Sequence, residues 1–107
     1  MTTKSAVFHQ LASLAISELS DKGYLLNPLD WDVKAQKYTL RIRGTDHRPM
    51  VAVGLITFSA RKNKIVVYDA VTGEKDEFEG IDGTNKDAFL AFICAWAQKL
   101  RDVSAYI

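Results

Sequence analysis

The stretch Met50-Val-Ala-Val-Gly-Leu-Ile-Thr-Phe-Ser59 decides the fold that we expect from this sequence. It is apolar in both sets of alternating positions. One set is Val51, Val53 and Leu55, and the other is Met50, Ala52, Gly54, Ile56 and Phe58. A strand with one solvated face alternates apolar with polar residues, so this pattern predicts a central strand that is covered on both sides.

Three further strands are predicted around the central one. Residues 37–43 alternate between apolar and basic or hydroxyl side chains, which predicts a half-buried strand with a basic outer face. Residues 64–70 are apolar on both faces until Asp69, so they predict a second covered strand. The segment 75–79 is short and mostly charged. This predicts an edge strand, because charge at a sheet edge discourages pairing with the edge strands of other molecules.

Two amphipathic helices flank these strands. Residues 4–22 place a broad apolar face on one side and Gly23 after the end, and a second helix is predicted from near Asn85 to about Asp102. The intervening residues 24–31 read as a connector, or as a short strand followed by a turn. We therefore predict a single α+β domain over residues 1–107. It has a four-stranded antiparallel meander sheet flanked by an N-terminal and a C-terminal helix, in the order α-β-β-β-β-α.

The strands at 50–59 and 64–70 need cover on both faces, but only two helices are available. Either one helix lies on each face, or both lie on one face and the second face meets a partner. That partner is a second copy of the chain, another protein or an apolar ligand. We expect a homodimer first, because most soluble oligomers are symmetric homo-oligomers.

Composition narrows the class of protein. A chain of 107 residues forms one domain, and 48% apolar with 25% charged residues is typical of a folded one. The N-terminal segment lacks the apolar region of a secretory leader, and the longest apolar run, residues 88–97, is about half of what spans a bilayer. The single Cys94 excludes an internal disulfide. These features predict a cytoplasmic location and no membrane partner.

Positive charge is concentrated in residues 34–64, which hold eight basic residues and one acidic residue. We predict that this basic belt steers a protein partner, or in the alternative that it binds nucleic acid. Neutralisation by neighbouring acidic strands is the third interpretation. Trp31 is either an aromatic anchor for a partner or a cap on the open end of the core. The predicted partner-binding residues are Arg41, Arg43, Arg48, Arg61, Lys62 and Trp31.

The sequence carries no constellation that names a reaction. It has no phosphate-binding loop, dinucleotide fingerprint, H-E-x-x-H or C-x-x-C motif. Asp46 and His47 are the only adjacent Asp-His pair, and no G-x-S-x-G serine accompanies them. Cys94 has no basic residue placed to activate it, and the acidic residues of 74–82 do not fit a calcium loop. We therefore expect no catalytic residue, no metal and no cofactor.

The function that we expect is a small non-catalytic protein–protein interaction or regulatory module, such as an adaptor, inhibitor or accessory protein, acting as a homodimer. The alternative is a nucleic-acid-binding protein that uses the basic belt of residues 34–64. A third hypothesis is a small-molecule pocket between helix and sheet, because Ala52 and Gly54 leave room beside Phe58 and Trp96.

Overall fold

The fold is α+β, with two helices and one antiparallel sheet, as predicted. The computed structural model describes residues 4–45, 53–81 and 84–104. The elements in chain order are α1 (Lys4–Asp21), β1 (Tyr24–Leu26), β2 (Asp30–Asp32), β3 (Lys37–Thr45), β4 (Gly54–Ser59), β5 (Lys64–Asp69), β6 (Lys75–Glu79) and α2 (Lys86–Ser104). Their order across the sheet is β1-β3-β4-β5-β6, so β4 is central and β6 is an edge strand, as the sequence predicted.

The sheet has six strands in the described part of the chain, so the prediction of four was wrong in its count. The two additional strands, β1 and β2, lie end to end along the edge of β3 that β4 does not occupy. Each has three residues, which is too few for an alternating pattern to be recognised. Pro28 lies between the two strands and a register shift occurs inside β1, between Leu25 and Leu26, so the sequence left this segment open between a connector and a short strand followed by a turn.

Both helices lie on the same face of the sheet. α1 contacts α2 as well as β1, β3 and β4. The buried side chains of both helices form one core with the inward residues of β3, β4 and β5, which are Leu40, Ile42, Ile56, Phe58, Ile65 and Val67. The sequence left two helix arrangements open, and the structure has the one in which neither helix covers the second face.

The ends of several elements follow local rules that the sequence contains. Gly23 follows α1 with a φ of 87°, and Asn63 in the turn between β4 and β5 has a φ of 53°, as expected for these residue types. α2 begins one residue after Asn85, whose carbonyl oxygen accepts a hydrogen bond from the N–H of Phe89 at 3.0 Å. Neither helix, in the residues described, is long and apolar enough to cross a membrane.

Candidate functional site

The sheet face that carries no helix is a candidate binding surface, and we call it the open face. Strand register defines it, because directly paired residues point to the same side. At its centre, Leu55 pairs with Tyr68, and Val66 lies between Thr57 and Glu77 in the next row. Leu55, Val66 and Tyr68 are half-buried, whereas the inward residues of the same strands are almost fully buried. The centre of the open face is therefore apolar and still partly in contact with water.

Charged residues of both signs surround this apolar centre. On the open face the basic residues are Lys37, Arg41, Arg43, Lys64 and Lys75, and the acidic residues are Asp30, Asp32, Glu77 and Glu79. Lys64 forms an ion pair with Glu77, with 3.2 Å between Nζ and Oε1. Carboxylates therefore interrupt the basic belt, and part of its charge is neutralised across the strands.

The predicted basic residues lie along the length of the sheet. Arg41 and Arg43 are exposed on β3, and Arg61 and Lys62 are exposed in the turn beyond the other end of β4. Arg48 lies outside the described residues. The predicted set thus follows the open face from one end to the other and does not converge on one point.

Trp31 lies on the other side of the sheet from these basic residues. It pairs with Tyr38, whose neighbours in alternation are Leu40 and Ile42 of the core. The rings of Trp31 and Tyr38 are stacked, with centroids 4.2 Å apart, and the ring of His9 on α1 lies 5.6 Å from Tyr38. Of the two interpretations of Trp31, this geometry fits the one in which the ring covers the edge of the core.

One end of the open face forms a pocket of about 260 Å³, which we call the basic pocket. Its lining residues are Ala35, Lys37, Thr57, Ser59, Arg61, Lys62, Lys64 and Val66. Lys37 and Lys64 reach it because both pair with Ser59 from opposite sides. The sequence predicted a belt and missed this convergence, since alternation within one strand does not give the register between strands.

Two turns, which we call the wall turns, contribute to the lining of the basic pocket: the turn before β3 through Ala35, and the turn after β4 through Arg61 and Lys62. The guanidinium of Arg61 donates a hydrogen bond from Nη2 to the carbonyl oxygen of Lys34 at 2.8 Å. The N–H of Ala60 donates to the carbonyl oxygen of Gln36 at 3.0 Å. The turn after β4 is thereby joined to the turn before β3, and the cations that they carry are held on one side of the sheet.

Among the described residues, Trp96 occupies the space beside Gly54 in which a small-molecule pocket was expected. A Cβ atom on Gly54 would lie 3.0 Å from Cη2 of the Trp96 ring. A second pocket of about 260 Å³ lies instead at the rim of the sheet. Apart from Trp96 its lining is polar or charged, comprising Asp69, Thr72, Glu74, Lys75, Asp76 and Lys99. Ala52 lies outside the described residues.

The only cysteine faces a carboxylate and not an activating base. The Cys94 thiol donates a hydrogen bond to Oε1 of Glu18 at 3.2 Å, and Lys22 Nζ lies 2.7 Å from the same oxygen. The hydrogen bond to Glu18, together with burial, raises the pKa of Cys94. The hydrogen bonds from Lys22 and Cys94 lower the pKa of Glu18. Cys94 is therefore held as a neutral thiol, which is a poor nucleophile.

The acidic side chains of β6 are divided between the two faces of the sheet and do not form one cluster. Asp76 pairs with Val67 on the helix-bearing face, and Glu77 pairs with Val66 on the open face. Within residues 4–45, 53–81 and 84–104, no group of three His, Cys, Asp or Glu side chains is arranged to hold a metal ion. Asp46, His47 and Asp82 lie outside the described residues.

Comparisons of the chain with known protein families, with curated proteins and with solved structures find no match.

Proposed function

We propose that this protein is a small non-catalytic protein–protein interaction module that forms a homodimer through the open face. The observation that supports this proposal is the position of Leu55, Val66 and Tyr68. They lie side by side at the centre of a sheet whose helices both cover the opposite face. Association of this face with another surface removes the remaining water from these side chains, which is favourable.

The size of the open face favours a broad and flat partner. The sheet has five strand positions in the order β1-β3-β4-β5-β6, so the face is about 24 Å wide and about 20 Å long. Its flat area is about 500 Å², whereas a stable interface buries about 800 Å² of accessible surface on each partner. Because side chains make the accessible area larger than the flat area, an interface of that size needs nearly the whole face. A second copy of the same face has the same extent.

The charge on the open face also favours a second copy. The strand residues of the face include five basic and four acidic side chains, and only at the end with Arg61 and Lys62 is positive charge in excess, so two such faces can meet without strong repulsion over most of their area. The same mixture argues against nucleic acid lying along the whole belt, because Asp30, Asp32 and Glu77 would then face phosphates. We therefore rank nucleic-acid binding by the belt below association of two copies.

Substitution of Val66 by lysine tests this proposal. A lysine there has Glu77 as its cross-strand neighbour, so the monomer tolerates it. In a dimer the same ammonium and its neighbour Glu77 both lose their contact with water at the centre of the interface, and this desolvation is unfavourable. We expect light scattering to give a dimer for the unchanged protein and a monomer for Val66→Lys at the same concentration.

The matched control is Val71→Lys. Val71 is 40% exposed in the turn after β5, outside the paired residues of the open face, so its substitution adds the same charge elsewhere. Val71→Lys should remain dimeric, and circular dichroism should show that both variants are folded. A folded Val66→Lys protein with the same mass as Val71→Lys, whether monomer or dimer, would contradict an interface on this face.

A further inference from the structure

We propose that the basic pocket binds a compact phosphoryl group, such as inorganic phosphate or the terminal phosphates of a small molecule. The pocket brings together four cations, Lys37, Arg61, Lys62 and Lys64, that come from two strands and one turn. Among the described residues that line it there is no carboxylate. A concave surface lined by charges of one sign concentrates counter-ions of the other sign.

Two hydroxyl groups line the pocket together with the cations and can donate further hydrogen bonds to an anion. Ser59 is only 9% exposed, and its Oγ accepts a hydrogen bond from the N–H of Lys62 at 3.4 Å. The hydroxyl hydrogen of Ser59 therefore remains available to a ligand oxygen. Thr57, two residues before Ser59 in β4, supplies a second hydroxyl on the same face. A lining that combines hydroxyl donors with ammonium and guanidinium groups suits an oxygen-rich anion with several acceptor sites.

The arrangement of the cations is partly fixed before any ligand binds. Arg61 is held by its hydrogen bond to the carbonyl oxygen of Lys34, and the two wall turns are joined through Ala60 and Gln36. Because these turns are already joined, ligand binding does not carry the entropy cost of ordering them. The pocket volume of about 260 Å³ lies at the lower end of small-molecule sites, so it fits a phosphate or diphosphate and little of what carries it.

Two features separate a compact ligand from an extended nucleic-acid strand. None of the described residues that line the pocket has an aromatic side chain on which a base could stack. Beyond the pocket, the open face is nearly neutral and offers no continuous track for a phosphodiester backbone. The excess of positive charge is thus confined to the pocket, which suits a compact anion better than an extended one.

Glu77 is expected to lower the affinity of the pocket for an anion. It pairs with Lys64 at 3.2 Å but does not line the pocket, so it reduces the attraction between Lys64 and an incoming anion. Glu77→Gln removes that competing charge and leaves a side chain of the same shape. This variant should bind phosphate more tightly, and a gain in affinity cannot result from misfolding.

Isothermal titration calorimetry with sodium pyrophosphate at low ionic strength tests the inference. Lys37→Gln and Lys62→Gln should each weaken binding by about tenfold or more, because each removes a charge-assisted hydrogen bond. Glu77→Gln should tighten binding by about two- to fivefold, which is the effect of an exposed ion pair. Lys75→Gln removes a cation from the same face outside the pocket and should change the affinity less than twofold.

The inference is overturned if millimolar pyrophosphate gives no heat of binding, or if the Lys37 and Lys62 variants bind as the unchanged protein does. A 12-nucleotide single strand is titrated in parallel, and binding of the strand without binding of phosphate or pyrophosphate also overturns it. The basic pocket lies at one end of the face that the proposed homodimer covers, so pyrophosphate and a second copy compete for it, and light scattering on the same samples measures the dimer separately. A monomer that binds pyrophosphate supports the pocket and contradicts only the dimer.

Discussion

Trp96 lies directly over Gly54, and this contact determines how closely α2 approaches the sheet. A Cβ atom at Gly54 would lie 3.0 Å from the indole ring and 3.2 Å from the carbonyl oxygen of Tyr68. Because the carbonyl belongs to the adjacent strand, it cannot rotate away as a side chain could. The space above Gly54 that the sequence suggested for a ligand is thus part of the core.

Gly54→Ala should therefore destabilise the protein even though it adds only one methyl group. Overpacking of this kind lowers the free energy of unfolding by about 1–3 kcal/mol. Urea denaturation followed by tryptophan fluorescence measures the change. An unchanged midpoint and slope would show that α2 does not pack over Gly54 as described.

The neutral state of Cys94 gives a second prediction at the residue scale. The hydrogen bond to Glu18 and burial raise the pKa of Cys94, so its thiolate fraction at a given pH is below that of an ordinary cysteine. Glu18→Gln removes the carboxylate and should bring the pKa of Cys94 down. The pH profile of alkylation by iodoacetamide should then move to lower pH, and the reaction at pH 8 should become faster.

Lys22→Gln provides the opposite control. Lys22 attracts the thiolate and so lowers the pKa of Cys94, which means that its removal should raise the pKa further and slow alkylation. If both variants moved the profile in the same direction, the charges around Cys94 would not be those described.

At the scale of elements, the turn between β5 and β6 depends on one buried carboxylate. Asp69 is 6% exposed, and its Oδ1 accepts hydrogen bonds from the N–H groups of Val71 at 2.8 Å and Thr72 at 3.2 Å. Its backbone carbonyl accepts a third from Gly73 at 2.8 Å. The side chain therefore orients the turn that brings β6 back along β5.

Asp69→Ala should lower the free energy of unfolding by about 1–3 kcal/mol, because two turn N–H groups lose their acceptor. Asp69→Asn keeps an oxygen in the same place and should be the milder change. Chemical denaturation of the two variants beside the unchanged protein provides the measurement. Equal stability of Asp69→Ala and the unchanged protein would contradict this role.

The elements that could be predicted from the sequence are those long enough to show a periodic spacing of apolar residues. α1 and α2 have 18 and 19 residues, and both apolar faces that the sequence indicated are in the core. β3, β5 and β6 also lie where alternation placed them, while Met50–Ala52 of the predicted central strand lies outside the described residues. β1 and β2 could not be found in this way, because their three-residue pairing depends on β3 and not on their own pattern.

At the scale of the whole molecule, the sequence left open whether the two helices lie one on each face of the sheet or together on one face. Their shared side depends on how α1 and α2 pack against each other, which is a tertiary property. The basic pocket was missed for a related reason. Lys37 and Lys64 are distant in sequence and become neighbours of Ser59 only through the register of β3, β4 and β5.

The central claim is that the open face meets a second copy of itself, and the solution mass of the purified chain tests it most directly. Light scattering at low and at high salt should give twice the 12.0 kDa of one chain in both conditions, because an interface with an apolar centre depends little on screening. A mass of 12.0 kDa at both salt concentrations would contradict the homodimer and leave the basic pocket as the binding site to pursue.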